Sequence, residues 1–511
     1  MTRGRIVMGL LFSPRGGSAF VVRYLSPALT KEGWSVSLAV GSLGVAGDET
    51  DASTFFAGLD VHALDYTPAL ATFRAGGDPI AASPPMHPSY EDRTGAPDVV
   101  FASIPPERAD HLVDAWTAPL RAADADHANV FHLHHLTPQL DAARRGWPEV
   151  PLVVHLHGTE LKMIAAIKER VALAAALGGT LATMAADGAV HHDTPRGLNG
   201  AQIEMLQTTR WPSWRHGEFW AARMEHQALL ADHIITVSPQ NRDTALSTLG
   251  LDPDRVSSIP NGVDIERFQP RPRTLGSRRS VFRRALVEDP HGWSESGPPG
   301  SVRYTEADLD RLLGADADAT VLLYVGRFLG FKRVPLLIRA FAQARSGFSR
   351  PASLVVWGGH PGEWEGEHPV TVAAEVGARD IYFTGWRGHD DLAEALSAGD
   401  ALIVPSVEDP YPQVPLEAMA TGLPVLASRS GGLLSMVNLD PARPTGWFVP
   451  PDDRDALATA MVHIVNDPAE AANRGANAFA HARAELSWDR LVVHFEAVYS
   501  QAIRHHALDS A

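Results

Sequence analysis

Cysteine is absent from all 511 residues, which excludes disulfides, thiolate metal sites and a cysteine nucleophile and leaves the redox compartment open. No apolar run approaches the roughly 18–20 residues that cross a bilayer. Near the start, Arg3 and Arg5 lead into Ile6–Phe12, but Ser13-Pro14-Arg15-Gly16-Gly17 ends that run. It is short for a signal-peptide core and has no small-residue cleavage pattern after it; it reads as a buried strand, and a cytoplasmic location is the expectation. The turn that follows lacks the G-x-G-x-x-G fingerprint, which counts against a dehydrogenase. Positive charge is also short: 44 Lys and Arg face 60 Asp and Glu, a formal net charge of -16. The mean field therefore repels nucleic acid and anionic lipid, whereas a small phosphorylated substrate needs only local positive charge.

A hydrophobic fraction of 45% with 20% charged residues belongs to a folded soluble chain. The length exceeds one ordinary core and favours two domains. Arg5–Phe12, a Gly-rich turn, a helical pattern over Ser18–Glu32 and the run Ser35–Val40 make strand, turn, helix, strand, the order of a parallel sheet with right-handed crossovers. Further strands are predicted at Val130–Leu133, Leu152–His155 and His233–Val237, and residues 41–110, rich in Gly, Pro and Asp, read as an irregular insertion. A second break runs from about Gln269 to Ala319. After it the alternation restarts with strands at Thr320–Val325, Ser353–Trp357, Ile381–Phe383, Ala401–Val404 and Pro424–Ala427, so two doubly wound α/β halves are implied. The final helical stretch, Ser487–Arg504, carries Leu491, Val492, Phe495 and Val498 and should pack on a domain surface.

The sharpest motif is Pro405-Ser-Val-Glu-Asp409-Pro-Tyr411-Pro-Gln413-Val414-Pro-Leu-Glu417, which leaves a buried strand at the carboxyl edge where open parallel sheets bind ligands. Asp409 in the loop and Glu417 on the helix can reach two parts of one polyhydroxyl ligand. In Gly326-Arg327-Phe-Leu-Gly-Phe-Lys332-Arg333, a strand-to-helix loop, Arg and Lys can meet a diphosphate from two sides. Gly16 and Gly17, between the first strand and the first helix, allow a ligand to approach the helix N-terminus.

On these segments the chain resembles the retaining glycosyltransferases of family four. The resemblance implies the GT-B fold, two Rossmann-like doubly wound parallel-sheet domains facing a cleft. It implies an N-terminal acceptor-side domain over 1–269, a linker or insertion over 270–319, a nucleotide-sugar-binding domain over 320–486, and a C-terminal helix over 487–511 packing back on the N-terminal domain. Asp409 would bind hydroxyls of the transferred sugar and Glu417 the nucleotide ribose, with Tyr411, Gln413 and Val414 beside them. Arg327 and Lys332 would hold the diphosphate, Gly16 and Gly17 would border the donor, and His157, before Gly158, would face the sugar. Trp386 and Arg387 lie where the family holds the base. The family usually has Glu at position 409 and Gly at 412; here Asp409 is one methylene shorter and Pro412 has no N–H.

The reaction so implied moves a sugar from a nucleoside-diphosphate-sugar to a hydroxyl of a small-molecule acceptor, with retention and by a front-face path in which the leaving phosphate helps deprotonate the acceptor. Neither metal nor cofactor is expected beyond the nucleotide sugar, a UDP-sugar first, with GDP or ADP as alternatives. Insertions on the acceptor side point towards secondary metabolism. The oligomeric state stays open. Competing readings are a sugar-nucleotide epimerase, which acts on donor alone, and a non-catalytic binding protein.

Three segments carry paired readings. In His132-Leu-His134-His135 the histidines are either the start of a zinc site, for which no further ligand stands at convincing spacing, or strand-edge groups near the acceptor. By alternation His155 is read as pointing away from His157. Trp211 and Trp214 are either a wall of the acceptor site or an anchor for the insertion. The basic cluster Arg271–Arg284 is either a grip for an acidic partner or solvated linker.

Overall fold

The computed structural model describes residues 3–12, 14, 16–93, 95–187, 197–314 and 319–509. Ser13 and Arg15 of the first turn lie outside them. The chain divides into two compact units, one running to Ile259 and resuming at Val492, the other spanning Pro260–Leu491.

The first unit is built on a seven-stranded sheet: β1 Gly4–Leu10, β2 Trp34–Ser42, β3 Asp60–Asp65, β4 Val130–His134, β5 Leu152–Leu156, β6 His233–Thr236 and β7 Val256–Ser258, in the order β3-β2-β1-β4-β5-β6-β7. Every pairing is parallel. The central strands are buried on both faces, as Val-, Ile- and Leu-rich runs in parallel sheets must be. Residues 41–110 are less irregular than their composition implies. They contain β3, an edge strand whose sequence DVHALD has only exposed and partly exposed residues and no continuous apolar run, and Val100, Phe101, Ala102 and Ile104, which enter the core.

The second unit carries six parallel strands: β8 Thr320–Gly326, β9 Ala352–Gly358, β10 Ile381–Gly385, β11 Ala401–Val404, β12 Val425–Ser428 and β13 Gly446–Val449, in the order β10-β9-β8-β11-β12-β13. The segment read as linker instead contributes helices Leu275–Arg283 and Glu306–Leu313 to this unit. Phe282, Leu309, Leu312 and Leu313 are buried there. Arg278 and Arg279 are tied into the unit, Arg278 donating to the Ala398 carbonyl at 3.1 Å and to Asp400 at 2.8 Å and Arg279 pairing with Glu306 and Asp310, whereas Arg271 and Arg283 stay substantially exposed.

The helix Trp488–Asp509 starts in the second unit and continues in the first, where Phe495 and Tyr499 are fully buried. No helix among the described residues is long and apolar enough to cross a membrane. In each sheet the strand order reverses once, between β1 and β4 and between β8 and β11. Crevices at the carboxyl ends of such strand pairs are where open α/β sheets take ligands.

Candidate functional site

In the second unit, the loops after β8 and β11 meet. The backbone N–H of Val407 donates to the Phe331 carbonyl at 2.8 Å, joining the two loops. Across that joint Lys332 Nζ lies 2.5 Å from Asp409 Oδ2, with both side chains largely buried. Asp409 is held from its other side by the turn after β12. Gly432 N–H donates to the Asp409 carbonyl at 2.8 Å and Glu408 N–H to Ser430 Oγ at 2.9 Å. This approach requires glycine: a Cβ on Gly431, whose φ is +56°, would stand 2.5 Å from the Asp409 carbonyl oxygen, and one on Gly432 1.9 Å from that of Pro410.

Arg327 follows β8, its carbonyl accepting from Tyr324 OH at 2.8 Å and its guanidinium 3.6 Å from Glu363. Arg333 turns elsewhere, onto Asp452 at 2.5 Å. Pro412 precedes helix Gln413–Ala420 without any side-chain cap, so the first N–H groups of that helix are open to an acceptor. Val414 is partly exposed there, while Tyr411 is buried against the glycine turn. The Gln413 amide nitrogen is buried without a partner among the described residues.

Glu417, deep on the same helix, is 4% exposed, and burial pushes its carboxyl up to about 8, with Arg267 opposing. One oxygen lies 3.4 Å from His389 Nε2 and the other has no hydrogen-bond partner among the described residues. Trp386 is 39% exposed with its ring 5.7 Å from that of His360, an open aromatic face beside the β10 end. Arg387 is not available to a ligand. Its guanidinium is buried and donates to the carbonyls of Ala285 and Asp289 and to the Asp289 carboxylate, fastening the 284–289 turn. In the sequence it looks like a free cation, because its acceptors lie about a hundred residues upstream.

In the first unit, Gly16 takes φ +98° ahead of helix Gly17–Lys31, and a Cβ there would meet nothing within 4 Å among the described residues. The histidines are rearranged relative to expectation. Positions 155 and 157 are two residues apart and share one face of the strand, by the period of two. Their rings stack at 4.5 Å, so the opposed orientation of His155 is corrected. His132 and His134 take the same face on β4, and His132 Nδ1 lies 2.8 Å from Tyr499 OH.

His134 is fully buried and its Nδ1 lies 2.8 Å from His157 Nε2; His135, also buried and at φ +67°, bonds Glu160 at 3.0 Å. Neither reaches solvent as an acceptor contact would. His157 remains partly exposed, and its backbone N–H donates to Glu160 Oε1 at 2.7 Å. Trp211 and Trp214 are an anchor, not a wall. They are 2% and 7% exposed in the core, Trp211 donating to the Leu206 carbonyl and Trp214 lying under Arg170.

Glu160, Glu363 and His389 escaped the sequence reading. Glu160 alone left a signal, as an acid opening a helix right after a strand-end Gly158.

Two family models match the chain: one described as glycosyl transferases group 1 over residues 319–467, the other as glycosyltransferase family 4 over 15–267. Among curated relatives, D-inositol 3-phosphate glycosyltransferase 2 of Catenulispora acidiphila is 31% identical over 279 residues, 53% of this chain and 57% of the relative. The chain thus spans little more than half the length of the curated relatives it matches.

Solved structures share the fold across nearly the whole chain. Sucrose-phosphate synthase from Thermosynechococcus elongatus has a TM-score of 0.56 at 20% identity, covering 98% of this chain and 100% of that one. The catalytic domain of starch synthase IV from Arabidopsis thaliana has 0.60 at 14%, covering 99% and 100%. Two Rossmann-like parallel-sheet domains of this kind define the GT-B class. The chain belongs to glycosyltransferase family four.

Proposed function

We propose that this protein transfers a sugar from a nucleoside-diphosphate-sugar to a hydroxyl of a small-molecule acceptor, with retention at the anomeric carbon and without a divalent metal. The observation that carries the reading is the joined loop pair after β8 and β11, where Lys332 and Asp409 meet at 2.5 Å, the first of these loops also carrying Arg327. Lys332 and Arg327 neutralise the diphosphate, and Asp409 takes sugar hydroxyls while holding Lys332. Glu417 and the open face of Trp386 serve the nucleoside. Arg387 has no part in donor binding.

In the step itself the bond from the anomeric carbon to the β-phosphate oxygen breaks, and the bond to the acceptor oxygen forms on the same face. The acceptor proton passes to the departing phosphate. The two cations stabilise the charge that develops there, a term that commonly dominates catalysis. Asp409, tied to Lys332, is an orienting group and not a nucleophile.

The test is a panel of UDP-, GDP- and ADP-sugars, with cyclitol phosphates among the acceptors because the relatives' names point there. Nucleotide release and product stereochemistry are read with excess chelator present. Expected are acceptor-dependent release, an unchanged anomeric configuration and full activity in chelator. Conversion of donor without acceptor would instead indicate an epimerase, and strict metal dependence would refute the two-cation site.

A further inference from the structure

His132, His134, His155 and His157 form a stack on one face of β4 and β5, with neighbouring ring centroids 4.5–5.4 Å apart. His132, His134 and His155 bring nitrogens within 4.8 Å of one another. The close nitrogens of these rings are joined in pairs, His132 Nε2 to His155 Nδ1 at 3.3 Å and His134 Nδ1 to His157 Nε2 at 2.8 Å, and His132 Nδ1 is taken up by Tyr499 OH at 2.8 Å. The stack is a hydrogen-bonded one. Burial, reinforced by the neighbouring imidazoles, holds His134, His155 and His157 well below the ordinary histidine value, and burial alone does the same for His132. Each ring is therefore neutral, with one N–H and one lone pair.

His134 Nδ1 and His157 Nε2 lie 2.8 Å apart, so one proton sits between them. The other nitrogen of His134, Nε2, is buried with no hydrogen-bond partner among the described residues. A proton there would be a buried N–H without an acceptor, the costlier kind of orphan; a lone pair there is tolerated. The proton of His134 therefore sits on Nδ1 and is donated to His157 Nε2, which leaves His157 its own proton on Nδ1. That nitrogen has no partner among the described residues, and it belongs to the only partly exposed ring of the four.

We infer that His134 is a positioning residue that fixes His157 as the Nδ1–H tautomer, so that His157 acts as a neutral hydrogen-bond donor to a substrate oxygen and not as a general base. The identity of that oxygen rests on the proposed glycosyl transfer; the tautomer does not. The groups facing His157 are His155 on its own strand, His134 and His135 from the end of β4, and Glu160 on the following helix.

The experiment is 15N NMR of imidazole-labelled full-length protein without substrate, the His157 signals being assigned by their loss in His157→Asn. Expected are a protonated Nδ1 and an unprotonated Nε2, unchanged from about pH 5.5 to 8. A protonated Nε2, or titration within that range, would overturn the inference whether or not the protein transfers sugar. In His134→Asn the amide nitrogen occupies the Nδ1 position, whereas in His134→Gln it occupies the Nε2 position. Asn should keep the tautomer and kcat, and Gln should mix the tautomers and lower kcat at least ~10-fold with little change in donor KM. Equal behaviour of the two variants would also overturn it.

Discussion

Replacing Glu417 by Gln should remove a pH dependence of stability that the wild-type chain carries. The Glu417 carboxyl is raised by burial from 4.5 to about 8 in the folded chain. Between those values the folded state keeps a proton that the unfolded state has released, so the stabilisation is complete below about pH 4.5 and is lost as pH rises to about 8. Linkage gives about 1.4 kcal/mol per pH unit, hence roughly 4 kcal/mol between pH 5 and 8. Gln has the shape and hydrogen-bonding pattern of the protonated acid and does not titrate. The variant and the wild type should therefore unfold alike near pH 5 and separate as pH rises, the variant becoming the more stable by roughly 3–5 °C in Tm per pH unit. Thermal unfolding followed by tryptophan fluorescence at half-unit pH steps reads this directly. A Tm difference that stays flat from pH 5 to 8 would show that Glu417 ionises normally in the folded chain.

Lys332→Ala should slow single-turnover nucleotide release by at least ~100-fold, the loss of roughly 3 kcal/mol of charge stabilisation; near-normal turnover would remove Lys332 from the chemistry. Gly432→Ala drives a methyl into the Pro410 carbonyl and should displace the Asp409 loop, lowering kcat/KM on the order of 100-fold with an unchanged far-ultraviolet spectrum. An active variant would mean that the loop yields cheaply. Arg387→Met should lower the stability of the second unit by about 2–4 kcal/mol, since it strips donors from the buried Ala285 carbonyl and from the carbonyl and carboxylate of Asp289, with nucleotide affinity of the folded fraction intact. Weakened affinity without loss of stability would return Arg387 to the ligand.

The parts of the fold written in continuous apolar runs were legible. Ten strands were anticipated because each lies in a run of Val, Ile, Leu or similar residues buried on both faces. β3, β7 and β13 are not legible in this way; all three are edge strands with polar or short sequences, β13 being a four-residue strand that begins at a glycine. The loop motif holding Arg327, Lys332, Asp409 and Glu417 was visible since each element of it is local. What was not visible is how a charge is spent. Arg387 and Arg278 give their guanidinium donors to carbonyls and carboxylates remote in sequence, and Trp211 and Trp214 are aromatic by composition whether they line a site or fill a core. The histidines differ from expectation for another reason: the period of two that sets the faces of a strand makes His155 and His157 neighbours and not opposed.

The helix Trp488–Asp509 sets an order on synthesis. Tyr499 closes over His132 across 367 positions of sequence, so the histidine face of β4 and β5 is without its cover until the second unit has been made. Domains generally fold as they emerge, the N-terminal one first; here the first unit can assemble its sheet early but is sealed only by residues translated after the whole second unit. A nascent chain stalled before position 492 would display that apolar and imidazole-lined face to chaperones.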